Sequence, residues 1–308
     1  STSNYNVAVG YDAGGDLTTG TLNTFLGGNS GNAFTTGLNN VALGYSALGS
    51  DTLGSRGTAV GYAALGAQNF TTATNGYNVG VGTSAGGAVT TGINNTIVGG
   101  LAGDALTDAD ANVAVGMSAL GTDTLGSRST AVGYSSLATQ NYTTATNSYN
   151  VAMGYGAGGS TTTGIQNTLI GSLSGNSLTD ADYNVAIGHA ALTTDTKGSR
   201  SVAVGYAALN AQNFTTATNS YNVAVGSNAG VSITTGIQNT IIGALAGDAL
   251  TDADYNTAVG LATLGADTLG SRSTAVGYGA LTTQNFTTAT NAYNTAVGMN
   301  AGLDVTTG

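Results

Sequence analysis

The sequence predicts an all-β fold, a parallel β-solenoid of about 17 coils, on three observations. The five-residue pattern Asn6-Val7-Ala8-Val9-Gly10 returns along the 308 residues at nearly fixed intervals. Taking its last glycine as an anchor, anchors fall at Gly10, Gly27, Gly44, Gly61, Gly82, Gly99, Gly116, Gly133, Gly154, Gly171, Gly188, Gly205, Gly226, Gly243, Gly260, Gly277 and Gly298. Steps of 17, 17, 17 and 21 residues repeat four times, giving a 72-residue unit. A step of 17 has no helical period and is too short for a strand–helix–strand crossover. So short a unit cannot bury its own apolar face and must stack on its neighbours. Periodicity therefore argues for one array over residues 1–308 rather than two globular domains. At ~4.8 Å per coil, the stack would form a rod on the order of 80 Å long.

Counted from the anchor, position −4 is Asn in thirteen coils, Ser at Ser129, Ser201 and Ser273, and Gly at Gly57. Stacked amides of this kind can hydrogen-bond their copies above and below. Position −3 is always Val or Thr, and −1 is aliphatic or Met, as in Val9, Leu26, Leu43 and Met153. β-Branched and aliphatic residues two apart predict a strand with that face buried. Position −2, on the opposite face, is Ala in twelve coils, Gly at Gly80, and large at Phe25, Ile97, Leu169 and Ile241. A strand apolar on both faces is expected to be covered on both. One cover would be the core of the coil and the other, over the alanine side, a neighbouring identical chain.

After the anchor, seven coils carry tyrosine: Tyr11, Tyr45, Tyr62, Tyr134, Tyr155, Tyr206 and Tyr278. These read as a surface stack or as a ligand-binding aromatic strip. A small residue at +3 and Gly or Leu at +4 are expected to form a second short strand folded back over the first, with the anchor glycine at the bend. In the same column as the tyrosines, His189 reads as a surface variant.

In chain order, residues 1–5 align with 217–221, so the array is expected to begin within a repeat. Coils one and two carry Gly14 and Gly31 at +4 and end in Thr-rich turns such as Thr18-Thr19-Gly20; coils three and four carry Leu48 and Leu65. Between coils three and four lies Asp51-Thr52-Leu53-Gly54-Ser55-Arg56, whose copies hold Arg128, Arg200 and Arg272, the other three arginines of the chain. The arginines read as a salt bridge or carbonyl clamp between coils or chains, or as a receptor-binding row. The fourth coil is four residues longer, through Gln68 to Asn75 and copies from Gln140, Gln212 and Gln284. Insertions in a solenoid map to loops on one face, so this reads as a recognition loop or, given Phe70, Tyr142, Phe214 and Phe286 at its centre, a wrapped corner. Asp108-Ala109-Asp110 recurs at Asp180 to Asp182 and Asp252 to Asp254. Paired Asp can ligate calcium or cap a turn; Thr36 and Leu38 at the matching positions of the first unit favour the turn. Asp304 to Gly308 matches Asp16 to Gly20, so the array is expected to end as it begins. Exposed solenoid ends invite stacking.

Composition narrows the function. The chain has fifteen Asp, no Glu, one Lys and four Arg, for a net charge of −10, and lacks Pro, Cys and Trp. Without a basic patch, binding to nucleic-acid backbones or to anionic lipid is not expected. Without Cys there is no disulfide framework and no thiolate metal site. No run of eighteen apolar residues and no charged leader with an apolar core is present, so neither a membrane span nor a signal peptide is expected in this segment. Hydrophobic content of 41% in periodic order argues against disorder.

The run Asn112-Val113-Ala114-Val115-Gly116-Met117-Ser118-Ala119 and its sixteen relatives resemble the head repeats of YadA-like trimeric autotransporter adhesins. Asn-Thr-Ala-Val-Gly-Tyr repeats are also similar to those in the shafts of phage tail fibres. The resemblance covers essentially every coil. It implies a left-handed parallel β-roll, three chains about one axis, and a role in surface attachment.

The expected function is a non-enzymatic structural or adhesive fibre segment, a homotrimer displayed outside a cell or virion, without cofactor, metal or catalytic residues. The receptor, a cell-surface structure or glycan, is not named by the sequence. The alternatives are a self-assembling filament, an ice- or mineral-binding solenoid, and a polysaccharide-cleaving tailspike. Val mixed into the −3 column weighs against ice. Absence of Glu, with Asp confined to repeated turns, weighs against the paired carboxylates of glycosidic cleavage.

Overall fold

The computed structural model describes residues 4–307, which form short strands joined by turns, with no helix among them. No helix long and apolar enough to cross a membrane is therefore present among the described residues. The expected continuation of the array into residues 1–3 and 308 lies outside the described residues. The chain divides into two units, Ser1–Asn150 and Val151–Gly308, each a stack of coils on the same plan.

In the first unit, the strands Val7–Val9, Thr24–Leu26, Val41–Leu43, Thr58–Val60, Val79–Val81, Thr96–Val98, Val113–Val115 and Thr130–Val132 pair in parallel, each with the next. The register places equivalent columns opposite one another, as in Val7↔Thr24, Ala8↔Phe25 and Val9↔Leu26. In the second unit the same ladder runs from Val151–Met153 to Thr295–Val297. A shorter parallel pair joins coil three to the long coil, as in Gly54–Ser55 with Thr74–Asn75.

The anchor glycine ends each strand. Gly10 has φ +135°, and a Cβ there would lie 2.5 Å from the carbonyl oxygen of Gly27, the anchor of the next coil. Both the conformation and the close approach of backbones exclude a side chain. The glycine column thus sets how tightly the coils stack.

Two expectations about the sides of the strand are corrected. The alanine column faces inward: Ala42, Ala59, Ala114, Ala203 and Ala258 are fully buried within the chain. The −3 and −1 residues face outward and are half-buried or exposed, as in Val41 and Leu43. One chain closes over its own alanines because its interior is narrow, so the small residue belongs inside and the β-branched pair outside.

The predicted second strand at +3 and +4 is also absent. Those residues lie in a turn whose +2 and +4 positions have left-handed backbone, as in Ser46 (φ 53°) and Leu48 (φ 47°). A left-handed non-glycine residue costs about 1–3 kcal/mol. Burying Leu48 completely returns about 1.5–3 kcal/mol, which offsets it. The core also explains the alternation at +4. Where the inward strand residue is large, +4 is glycine in its own coil and in the one before: a Cβ at Gly103 would lie 3.3 Å from Ile97 Cδ1 and one at Gly175 2.6 Å from Leu169 Cδ2, while one at Gly86, a coil earlier, would lie 2.9 Å from Ile97 Cδ1.

Candidate binding surface

The asparagine column is buried and turns inward at the corner before each strand. Its amides bond chiefly to backbone of the next coil rather than to one another. Asn95 Oδ1 accepts from the Asn112 amide at 2.9 Å, and Asn95 Nδ2 donates to the Ala109 carbonyl at 2.7 Å. The same pair of bonds recurs from Asn23 to Asn40 and Gly37, and from Asn239 to Asn256 and Ala253. Each amide therefore satisfies two buried backbone groups that the corner would otherwise leave unpaired.

At the long coil a different set of side chains takes over, one that reading the columns nearest the anchor missed. Gln68 Nε2 donates to Asp51 Oδ2 at 2.6 Å, and Gln68 Oε1 accepts from Asn78 Nδ2 at 2.9 Å. Asp51 Oδ1 also accepts from the backbone amides of Gly54 (3.0 Å) and Phe70 (3.2 Å). In later units Gln140 bridges Asp123 and Ser129, and Gln212 bridges Asp195 and Ser201. Burial pushes the Asp51 carboxyl above its ordinary value, against the lowering effect of these bonds. The signal in the sequence is the +7 column, which reads Leu17, Phe34, Asp51, Gln68 and repeats that order of apolar, apolar, Asp, Gln in the next unit at Val89, Leu106, Asp123, Gln140.

The inserted loop is a wrapped corner. Phe70, Tyr142 and Phe214 are buried at its centre, while Thr71, Thr72 and Ala73 stand exposed at its tip. In the acidic turns, Asp110 Oδ1 accepts from the Ile93 amide at 2.8 Å, and its own amide donates to Ser127 Oγ at 2.9 Å. Asp108 Oδ1 accepts from Thr91 Oγ1 at 2.6 Å. The second and third copies hold the same cap at Asp182 and Asp254. These are turn-capping bonds, and no group of three or more His, Cys, Asp or Glu side chains converges among the described residues. Burial also holds the Asp104 and Asp248 carboxyls above their ordinary values.

Two surfaces remain. The outward strand face carries the −3 and −1 columns, with Val9 at 55%, Leu26 at 48% and Met153 at 43% exposure. The post-anchor column borders it, and there the aromatic rings stack: Tyr45 on Tyr62 at 5.7 Å, and His189 on Tyr206 at 5.6 Å. Across these three columns, no residue is Asp, Lys or Arg.

The second surface is the corner preceding the asparagine column, where the four arginines stand with tyrosines. Arg56 lies over Tyr77 at 5.3 Å and Arg128 over Tyr149 at 5.8 Å. Arg200 lies between Tyr183 (4.7 Å) and Tyr221 (5.9 Å), and Arg272 between Tyr255 (4.5 Å) and Tyr293 (5.9 Å). The expected salt bridge is replaced by cation–π stacking between coils. The ion pair formed among the described residues is Lys197 with Asp180, at 3.8 Å on the surface.

Compared with protein-family models, curated proteins and solved structures, the chain matches none of them.

Proposed function

We propose that the chain is a non-enzymatic segment of a structural, adhesive fibre, displayed outside a cell or virion, in which three copies pack as left-handed β-rolls about one axis. The observation that carries this reading is the uncharged, partly exposed outward strand face on a chain of net charge −10. Carboxylates are confined to turns and corners, so like-charged copies can approach along this face alone without bringing like charges together. A single isolated aliphatic residue on a surface needs no explanation, but the unbroken −1 column of Val, Leu, Ile and Met does. A second copy of the same face offers complementary β-branched and aliphatic side chains. The repeated turns serve stacking, which agrees with a scaffold rather than a catalyst.

Sedimentation equilibrium on the purified chain tests the reading. A single species of three chains supports it, a concentration-dependent ladder of larger species supports the alternative of a self-assembling filament, and a monomer rejects both.

A further inference from the structure

The arginines are the chain's only cations besides Lys197, and each occupies the equivalent corner of a 72-residue unit. All four are exposed. Their guanidinium groups are held against the rings of Tyr77, Tyr149, Tyr183, Tyr221, Tyr255 and Tyr293, which are themselves 41–69% exposed. In the second unit the Nε edge is also fixed: Arg200 Nε donates to Asn219 Oδ1 at 3.1 Å and Arg272 Nε to Asn291 Oδ1 at 3.0 Å. The terminal nitrogens of these two side chains are left as an oriented fork beside two aromatic faces.

The nearest acidic column does not neutralise them. Asp182 and Asp254 direct Oδ1 to the backbone of the preceding coil, to Ile165 and Ile237, and no arginine is within salt-bridge distance of a carboxylate among the described residues. A stacked guanidinium with a free fork is pre-organised to bind a planar oxyanion by two parallel hydrogen bonds. The flanking tyrosines supply flat apolar surface for the ring that bears it.

We propose that the corners at Arg200 and Arg272 are two equivalent binding sites for the carboxylates of an acidic polysaccharide; at Arg56 a terminal nitrogen instead donates to Tyr77 Oη at 2.5 Å. The assignment names the ligand class that the attachment reading leaves open, and it rests on that reading. Arg200 and Arg272, both within Val151–Gly308, are four coils apart, on the order of 19 Å at ~4.8 Å per coil. Weak single contacts then combine along one polymer chain. The overall negative charge repels polyanions elsewhere on the surface, which restricts binding to the corners.

The test is binding of the full chain to polygalacturonate, with dextran sulfate and neutral dextran as the other arms, by isothermal titration calorimetry. Saturable binding to polygalacturonate and none to neutral dextran is expected. Replacing Arg200 and Arg272 by Gln should weaken binding at least about tenfold, and replacing both by Lys should lose most of the affinity because charge is kept but the fork is lost. The Lys variant and a circular dichroism melt guard against misfolding in the Gln variant. Full affinity in either variant, equal binding to neutral dextran, binding to dextran sulfate alone, or no binding would overturn the proposal. Sedimentation of the same sample separates the two readings: a trimer that binds nothing rejects the ligand assignment alone, and a monomer that binds rejects the fibre alone.

Discussion

Phe25 and Gly31 compete for one place in the core: a Cβ built on Gly31 would lie 2.5 Å from Phe25 Cε1. Phe25 is fully buried and stacks on Phe34 at 5.4 Å. In the next coil the arrangement is exchanged, with Ala42 on the strand and Leu48 in the turn, both fully buried. Phe25→Ala should cost about 3–5 kcal/mol through the cavity it leaves. Gly31→Leu should cost about 1–3 kcal/mol by overpacking. The double variant converts coil two to the plan of coil three and should recover at least about 1 kcal/mol relative to the sum, because the residues touch. Urea unfolding of the four proteins measures this, and simple additivity would contradict the exchange.

Asn95→Ala tests the corner ladder. It leaves the Asn112 amide and the Ala109 carbonyl without the bonds they make to Asn95, at about 1–3 kcal/mol for each orphaned group. Hydrogen exchange should quicken first at Asn112 and its neighbours. A loss below about 0.5 kcal/mol would show that water replaces the amide.

Asp51 makes stability depend on pH with a definite sign. Its folded-state pKa is raised by burial, so the folded protein holds the proton more tightly than the unfolded chain. The stabilisation from this group is complete below the unfolded value and is lost as pH rises through the folded one. Asp51→Asn removes that titration. The stability difference between wild type and variant should therefore move in favour of wild type as pH falls through the folded-state value. The opposite slope would mean that the bonds from Gln68, Phe70 and Gly54 outweigh burial.

Much of the fold is legible in the residue order, and the illegible part has a physical cause. Strand positions, coil register and the structural weight of the asparagine column follow from periodicity, because stacked coils repeat every contact. The inside and outside of the strand do not follow, since Ala8 and Val9 are both apolar and a two-residue alternation does not say which side is the narrow one. The cue that decides it is the exchange of volume between Phe25 and Gly31 in one coil and Ala42 and Leu48 in the next. The turn after the anchor is not legible as a turn, because Leu48 and Leu65 take left-handed backbone, which non-glycine residues rarely adopt, and burial overrides that preference. The arginine corners are placed correctly by the 72-residue period. Their partners share that column, since Tyr183, Arg200 and Tyr221 each lie five residues before an anchor, and stacking the coils brings ring to guanidinium.

Leu43→Lys tests the outward face. Leu43 is half-buried in the single chain, and a lysine can extend its ammonium into water there, so the monomer fold should be kept within about 0.5–1 kcal/mol. Placed against identical copies, the same charge would be desolvated without a partner and should dissociate them. Unchanged circular dichroism with a smaller sedimenting mass is expected.

The central claim, that identical chains cover the outward strand face, is tested most directly by the sedimentation equilibrium mass of the purified wild-type chain at micromolar concentration. The account predicts three times the monomer mass. A monomer mass, with those valines and leucines stably facing water, would contradict it.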